Sequence, residues 1–265
     1  MSDAAIRGQD SRVWVLLESG SNQDFIFQST RRRFQVGASA LLKDMPVWVD
    51  EGLRAVTGQA PSYVDEGIDR GPGVVRVVAT SSKALLLAED PEQGKALVAA
   101  VTAVALERAP GLDVWGYVED VESALLAPPI DRLGDVHAAH ANLRWTRPTP
   151  KQRFPLHPFL ESCPVTGLPA ATLDRDPAEQ DGKLRPVSEP AAVVLARANA
   201  EVKRLTDVYG SAVLQDLTED VRNAGWVAVV HADGNSVGEL IPNLVSVNEL
   251  AQFSRELERA TAGRL

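Results

Sequence analysis

Residues 74–118 read VVRVVATSSKALLLAEDPEQGKALVAAVTAVALERAPGLDVWGYV. The β-branched run at 74–79 predicts a strand. The polar turn Thr80-Ser81-Ser82-Lys83 and the apolar run at 84–88 predict a second strand that returns as a hairpin. A helix start follows: Asp90 is placed to cap, Pro91 occupies the first helical position, and Gln93 completes a capping box. Leu97, Val98, Val101, Val104 and Ala105 form the helix's apolar stripe, and Pro110-Gly111 stops it. Residues 112–118 then predict one more strand.

Upstream, VWVLL at 13–17 reads as a buried strand closed by the turn residues Ser19-Gly20-Ser21-Asn22. After a polar stretch, Ala38, Leu41, Leu42, Met45, Val49, Leu53 and Val56 recur at helical spacing, with Pro46 requiring a kink or a restart. The order over 13–118 is therefore βαββαβ. This is the split βαβ pattern of ferredoxin-like units, so the fold class is α+β. Residues 11–120 are expected to form that unit, with its helices on one face of the sheet. Such a fold hosts many unrelated functions and does not name one.

Downstream, residues 121–224 read as a helical linker region. Leu133, Val136, His140 and Leu143 predict a helix, 146–190 is proline-rich and irregular, and Val194, Leu195, Ala198, Val202, Leu205 and Tyr209 share a helical face. Leu214, Leu217 and Val221 predict another helix, ended by Gly225. Residues 225–265 begin with the apolar strand WVAVVHA at 226–232 and end in a helix carrying Leu250, Phe253 and Leu257, capped by Ser246 or Asn248. They look like the start of a second βαββαβ unit.

The 265-residue composition bounds the function classes. Hydrophobic residues make up 45% and charged residues 24%, an ordinary globular balance. No apolar run reaches the roughly 20 residues of a membrane span, and the polar N-terminus has no signal-peptide core, so a cytoplasmic location without membrane association is expected. A lone cysteine, Cys163, excludes an internal disulfide. The net charge of −9 argues against a general nucleic-acid binder. Two basic clusters stand against that background: Arg31-Arg32-Arg33, and Arg144, Arg147, Lys151 and Arg153. Such clusters are usually solvated faces, though either suits RNA or phosphate.

The sharpest chemical motif is VAVVHADGNSVG at 227–238. An acidic residue at the carboxyl end of a buried strand is well placed to hold magnesium, and the glycines after it let backbone N–H groups approach a triphosphate. Asp233 is the candidate metal ligand. An Asp-Gly-Asn turn is also common where no ligand binds, and the motif by itself leaves both readings open.

This segment resembles the strand and loop that open the catalytic palm of the large subunit of type III CRISPR complexes. The helix segment LAQFSRELERA at 250–260, including Ser254, is similar to that family's next helix. Gln23-Asp24-Phe25-Ile26-Phe27 and Gly37-Ala38-Ser39 resemble its first-palm opening, where the latter triplet starts a helix. SCPVTGLPA at 162–170 resembles its zinc knuckle. The resemblance implies a palm-type nucleotidyltransferase or cyclase that binds ATP with magnesium or manganese. Such enzymes join nucleotides by 3′-hydroxyl attack on an α-phosphate, giving cyclic nucleotide signals in antiviral defence. It implies Asp233 as catalytic metal ligand, the Gly234 carbonyl as a second ligand, and Asn235, Ser236, Val237 and Gly238 as the phosphate cradle. Ser254 would contact the base, and the first palm would be structural.

Two departures qualify the resemblance. Thr166 stands where the knuckle's second cysteine would be, so no zinc is expected there. The family's Gly-Gly-Asp-Asp hairpin and its His-Asp doublet occur nowhere in the sequence. The chain alone is therefore expected to be inactive, its palm completed by a C-terminal half or a second chain, with RNA-guided complex subunits as further partners. The alternative is a non-catalytic palm scaffold that binds nucleotide, RNA or protein.

Overall fold

The computed structural model describes residues 12–58, 69–70, 73–175, 183–210 and 240–262. At its centre lies β1 (Val13–Gly20), in which residues 13–17 are all at most 1% exposed. An uninterrupted buried run means that both faces of the strand are covered, since successive side chains point to opposite sides. Three helices follow: α1 (Asn22–Ile26), α2 (Arg32–Leu42) and α3 (Met45–Thr57). Pro46 sits in the first turn of α3, so the proline marks a restart rather than a kink.

The remaining strands of the sheet are β2 (Asp69–Arg70), β3 (Val75–Ala79), β4 (Lys83–Ala88) and β5 (Asp113–Val118). Their order is β2-β3-β4-β1-β5, and every pairing is antiparallel. Val15 lies opposite Leu86 on one side and Val118 on the other, so β1 holds the hairpin and the last strand together. Between β4 and β5 runs α4 (Pro91–Arg108). Asp90 caps it by accepting from the Gln93 amide at 2.8 Å, and the Gln93 side chain accepts from the Glu89 amide, one residue before the cap, at 2.9 Å.

Alternation along β1 divides the core. Val13, Val15 and Leu17 pack with Leu86, Phe34, Trp48 and Leu97 beneath α2, α3 and α4. Trp14 and Leu16 face the other way, where they join Leu85 and Leu87 with Leu133 and Val136 of α6 (Pro129–Leu143) and with Leu250 and Ala251 of the final helix. The sheet is thus covered on both faces, and residues assigned by sequence to the linker and to the second unit supply the second cover. A buried ion pair fixes α6 in place: Arg132 pairs with Glu119, which also accepts from the Trp14 amide, and the Trp14 indole donates to the Pro129 carbonyl at 2.7 Å. Leaving either charge alone in that setting would cost about 3–5 kcal/mol.

The short α5 (Val121–Ala124) precedes α6, and after α6 come two 3₁₀ turns and a hairpin of β6 (Thr172–Arg175) with β7 (Leu184–Val187). Next is α7 (Glu189–Tyr209), which lies along α2. The two helices approach so closely at Gly37 that a Cβ there would stand 2.0 Å from the Val194 carbonyl oxygen. The buried stripe of α7 is Ala191, Val194, Ala198 and Glu201, whereas Val202 is 47% exposed. The stripe expected through Leu195 and Val202 is therefore rotated. Arg197 causes this by binding Asp44, in the turn after α2, at 2.9 and 3.1 Å and drawing Glu201 inward. The last described helix, α8 (Val247–Ala262), is capped by Ser246, which accepts from the Glu249 amide, while the Glu249 side chain accepts from the Val245 amide.

Among the described residues, no helix is long and apolar enough to cross a membrane.

Candidate functional site

Of the residues that sequence reasoning placed in a site, Asp233, Gly234, Asn235, Ser236, Val237 and Gly238 lie outside the described residues, as does the strand expected at 226–232. Ser254 lies on α8. It lines a cavity of about 700 Å³ between the sheet, α6 and α8, whose walls are mainly Leu85, Ile130, Leu133, Leu244, Leu250 and Phe253. Lys83, Asp131 and His137 are its other polar groups. Lys83 is held by Glu18 at 2.5 Å. An apolar chamber with a few convergent polar groups is the usual form of a small-molecule site. Among the described residues, no group of three His, Cys, Asp or Glu side chains is arranged to hold a metal ion.

Beside this chamber, α6 sends two histidines toward Glu18 of β1. His140 Nδ1 lies 3.4 Å and His137 Nδ1 3.9 Å from that carboxylate. Burial pushes both imidazoles below their ordinary value of 6.5. The nearby Lys83 adds to that shift, while Glu18 opposes it. Burial thus favours the neutral form of both rings. His140 also stacks on Trp115 of β5, with ring centroids 5.0 Å apart and planes 4° from parallel.

A second cavity, of about 550 Å³, opens at the end of β1. Its floor comes from the β1–α1 turn (Gly20, Ser21, Asp24, Phe25) and its wall from the segment after α6 (Arg144, Trp145, Arg147, Thr149, Phe154). The Arg147 guanidinium rides 4.7 Å above the Trp115 ring and binds Asp113 at 3.0 Å. Arg153 reaches the same carboxylate oxygen at 2.9 Å and also donates to the Leu112 carbonyl. One carboxylate thus anchors two arginines, and the anchored pair keeps a net positive charge. Arg144 is exposed, and Trp145 is 85% exposed.

The segment likened to a zinc knuckle is a tight hairpin. Ser162 bridges Pro169, Cys163 donates to the Leu168 carbonyl, and Gly167, at φ 70°, donates back to the Cys163 carbonyl. The Thr166 hydroxyl, at the position of the absent thiolate, hydrogen-bonds Ser188 Oγ at 2.8 Å, and Ser188 in turn caps α7. Cys163 is fully buried. Burial raises its thiol pKa, but hydrogen bonds from the Ser188 amide, the Thr166 hydroxyl and the Thr166 and Val165 amides outweigh it and pull the value below 9.0.

One motif assignment changes in the structure. Gly37-Ala38-Ser39 does not start a helix, because α2 begins five residues earlier and Gly37 serves its crossing with α7. The strip at 23–27 lies mostly in α1, and its Asp24 and Phe25 line the second cavity. Sequence reasoning saw the basic cluster at 144–153 but not that it walls a cavity. The signal present in the sequence was the aromatic residues interleaved with those cations.

No family model matches the chain, and no curated protein matches it in sequence.

Proposed function

We propose that the chain carries the first palm, and the opening strand and helix of a second, of a nucleotidyltransferase or cyclase resembling the large subunit of type III CRISPR complexes. One observation carries the reading: the strands β3-β4-β1-β5 form an antiparallel sheet with β1 between the hairpin and the final strand. That is the strand order of a ferredoxin-like βαββαβ unit, on which palms are built. The chamber lined by Ser254 adds support, since a hydroxyl among apolar walls suits recognition of a base.

In this proposal Asp233 ligates the magnesium or manganese that accompanies ATP, with the Gly234 carbonyl as a second ligand. Residues 235–238 cradle the phosphates through backbone N–H groups. A metal held there would lower the pKa of the attacking hydroxyl and offset phosphate charge. Asp233 needs further carboxylates from the same palm to complete the site.

Calorimetric titration of the 265-residue chain with ATP tests the assignment. Weak binding that requires magnesium and disappears in Asp233→Ala is the expected result. Binding that is indifferent to both magnesium and Asp233 contradicts it.

A further inference from the structure

The segment after α6, RWTRPTPKQRFPLHPF at 144–159, carries Arg144, Arg147, Lys151 and Arg153 and not one acidic residue, in a chain whose net charge is −9. Trp145, Phe154 and Phe159 are interleaved with these cations. Trp145 is 85% and Phe159 83% exposed. Exposed tryptophan and phenylalanine carry a hydration cost, and here they cluster on one arm beside a cavity. The arm's arginines are not scattered either. Asp113 holds Arg147 and Arg153 together, and Arg147 is further seated over Trp115.

We infer that this arm and the 550 Å³ cavity beside it form a binding site for single-stranded nucleic acid. Phosphates meet the guanidinium groups of Arg144 and Arg147, and an unpaired base stacks on Trp145. The assignment follows from the combination of charges and rings. Single-strand sites join a positive track for the backbone with aromatic faces for the bases, and a duplex offers no exposed base face to stack on. The two acidic residues at the cavity do not cancel the field. Asp113 is already saturated by two arginines, leaving one excess positive charge, and exposed Asp24 is set against exposed Arg144. The global negative charge keeps other surfaces from competing, so binding localises to this arm. No residue of 225–265 takes part, so the proposal is independent of the nucleotide site proposed around Asp233.

Fluorescence anisotropy with a labelled 20-nucleotide oligouridylate, and separately oligothymidylate, tests the site on the full 265-residue chain. The chain is expected to bind the single strand, with a log–log salt slope of about −1.4 for the two phosphates met by Arg144 and Arg147. Trp145→Ala should weaken binding about tenfold or more. Arg144→Ala should weaken it and reduce the slope by about 0.7. Lys95→Ala, about 20 Å along α4 toward the opposite end of the sheet, should change nothing. Both arm residues are solvent-exposed, and unchanged circular dichroism of the variants separates loss of binding from loss of fold. No binding overturns the proposal. So does equal binding of a 20-base-pair duplex, or wild-type affinity and slope in both arm variants. Complete displacement of the oligonucleotide by equimolar ATP would show a mononucleotide pocket instead and also overturns it.

Discussion

The two faces of the sheet are closed in different ways. Beneath α2, α3 and α4 the described residues pack closely: the helices cross each other and the sheet at glycines, and Gly37 lies against the α7 backbone. Across the sheet, α6 and α8 cover Trp14 and Leu16 but stand apart around a chamber of about 700 Å³, and Gly134 of α6 has no atom within 4 Å of its missing Cβ. Close-packed layers carry stability, and imperfectly filled ones leave room for ligands. The difference assigns the two faces different work.

Leucine truncation probes this contrast most strongly. Leu86→Ala, on the filled face, removes a fully buried side chain and is expected to cost about 4 kcal/mol. Leu133→Ala enlarges a chamber that already exists and is expected to cost about 2 kcal/mol. Urea unfolding measures both, and equal losses would break the comparison.

Alanine at the two glycines sharpens it with opposite signs. Gly37→Ala forces a methyl group onto a backbone carbonyl, which cannot swing aside. The cost of about 2–3 kcal/mol outweighs the roughly 1 kcal/mol that alanine gains in helix propensity. Gly134→Ala meets nothing and should keep that gain of about 1 kcal/mol. Thermal melts should therefore shift down for the first and up for the second. Shifts of the same sign would remove the distinction between the faces.

Much of the filled face was legible in the sequence because its signals are local. Asp90, Pro91 and Gln93 mark a helix start, Pro46 a kink or restart that the structure resolves as a restart, and the five-residue apolar run at 13–17 a buried strand. The second cover was legible only as two amphipathic stripes, Leu133–Val136 and Leu250–Phe253. Nothing local says that both would meet on the back of the first sheet. The rotated stripe of α7 has a similar cause, since the Asp44–Arg197–Glu201 network joins residues more than 150 positions apart. For the site, the basic arm was visible as composition, but its cavity depends on the β1–α1 turn meeting that arm in space. The motif at 233–238 offered a carboxylate after an apolar strand and nearby glycines, and its assigned roles rest on the family resemblance.

Nucleotide chemistry provides the most direct test. Labelled ATP and magnesium are incubated with the 265-residue chain, alone and together with a polypeptide supplying a Gly-Gly-Asp-Asp half-palm. The chain alone should form no phosphodiester product. The combination should form one, and Asp233→Ala in that combination should lower the rate by orders of magnitude, because on the proposed reading it would remove a metal ligand from the reacting phosphates. Turnover by the chain alone, or an undiminished rate in the completed Asp233→Ala enzyme, would contradict the account.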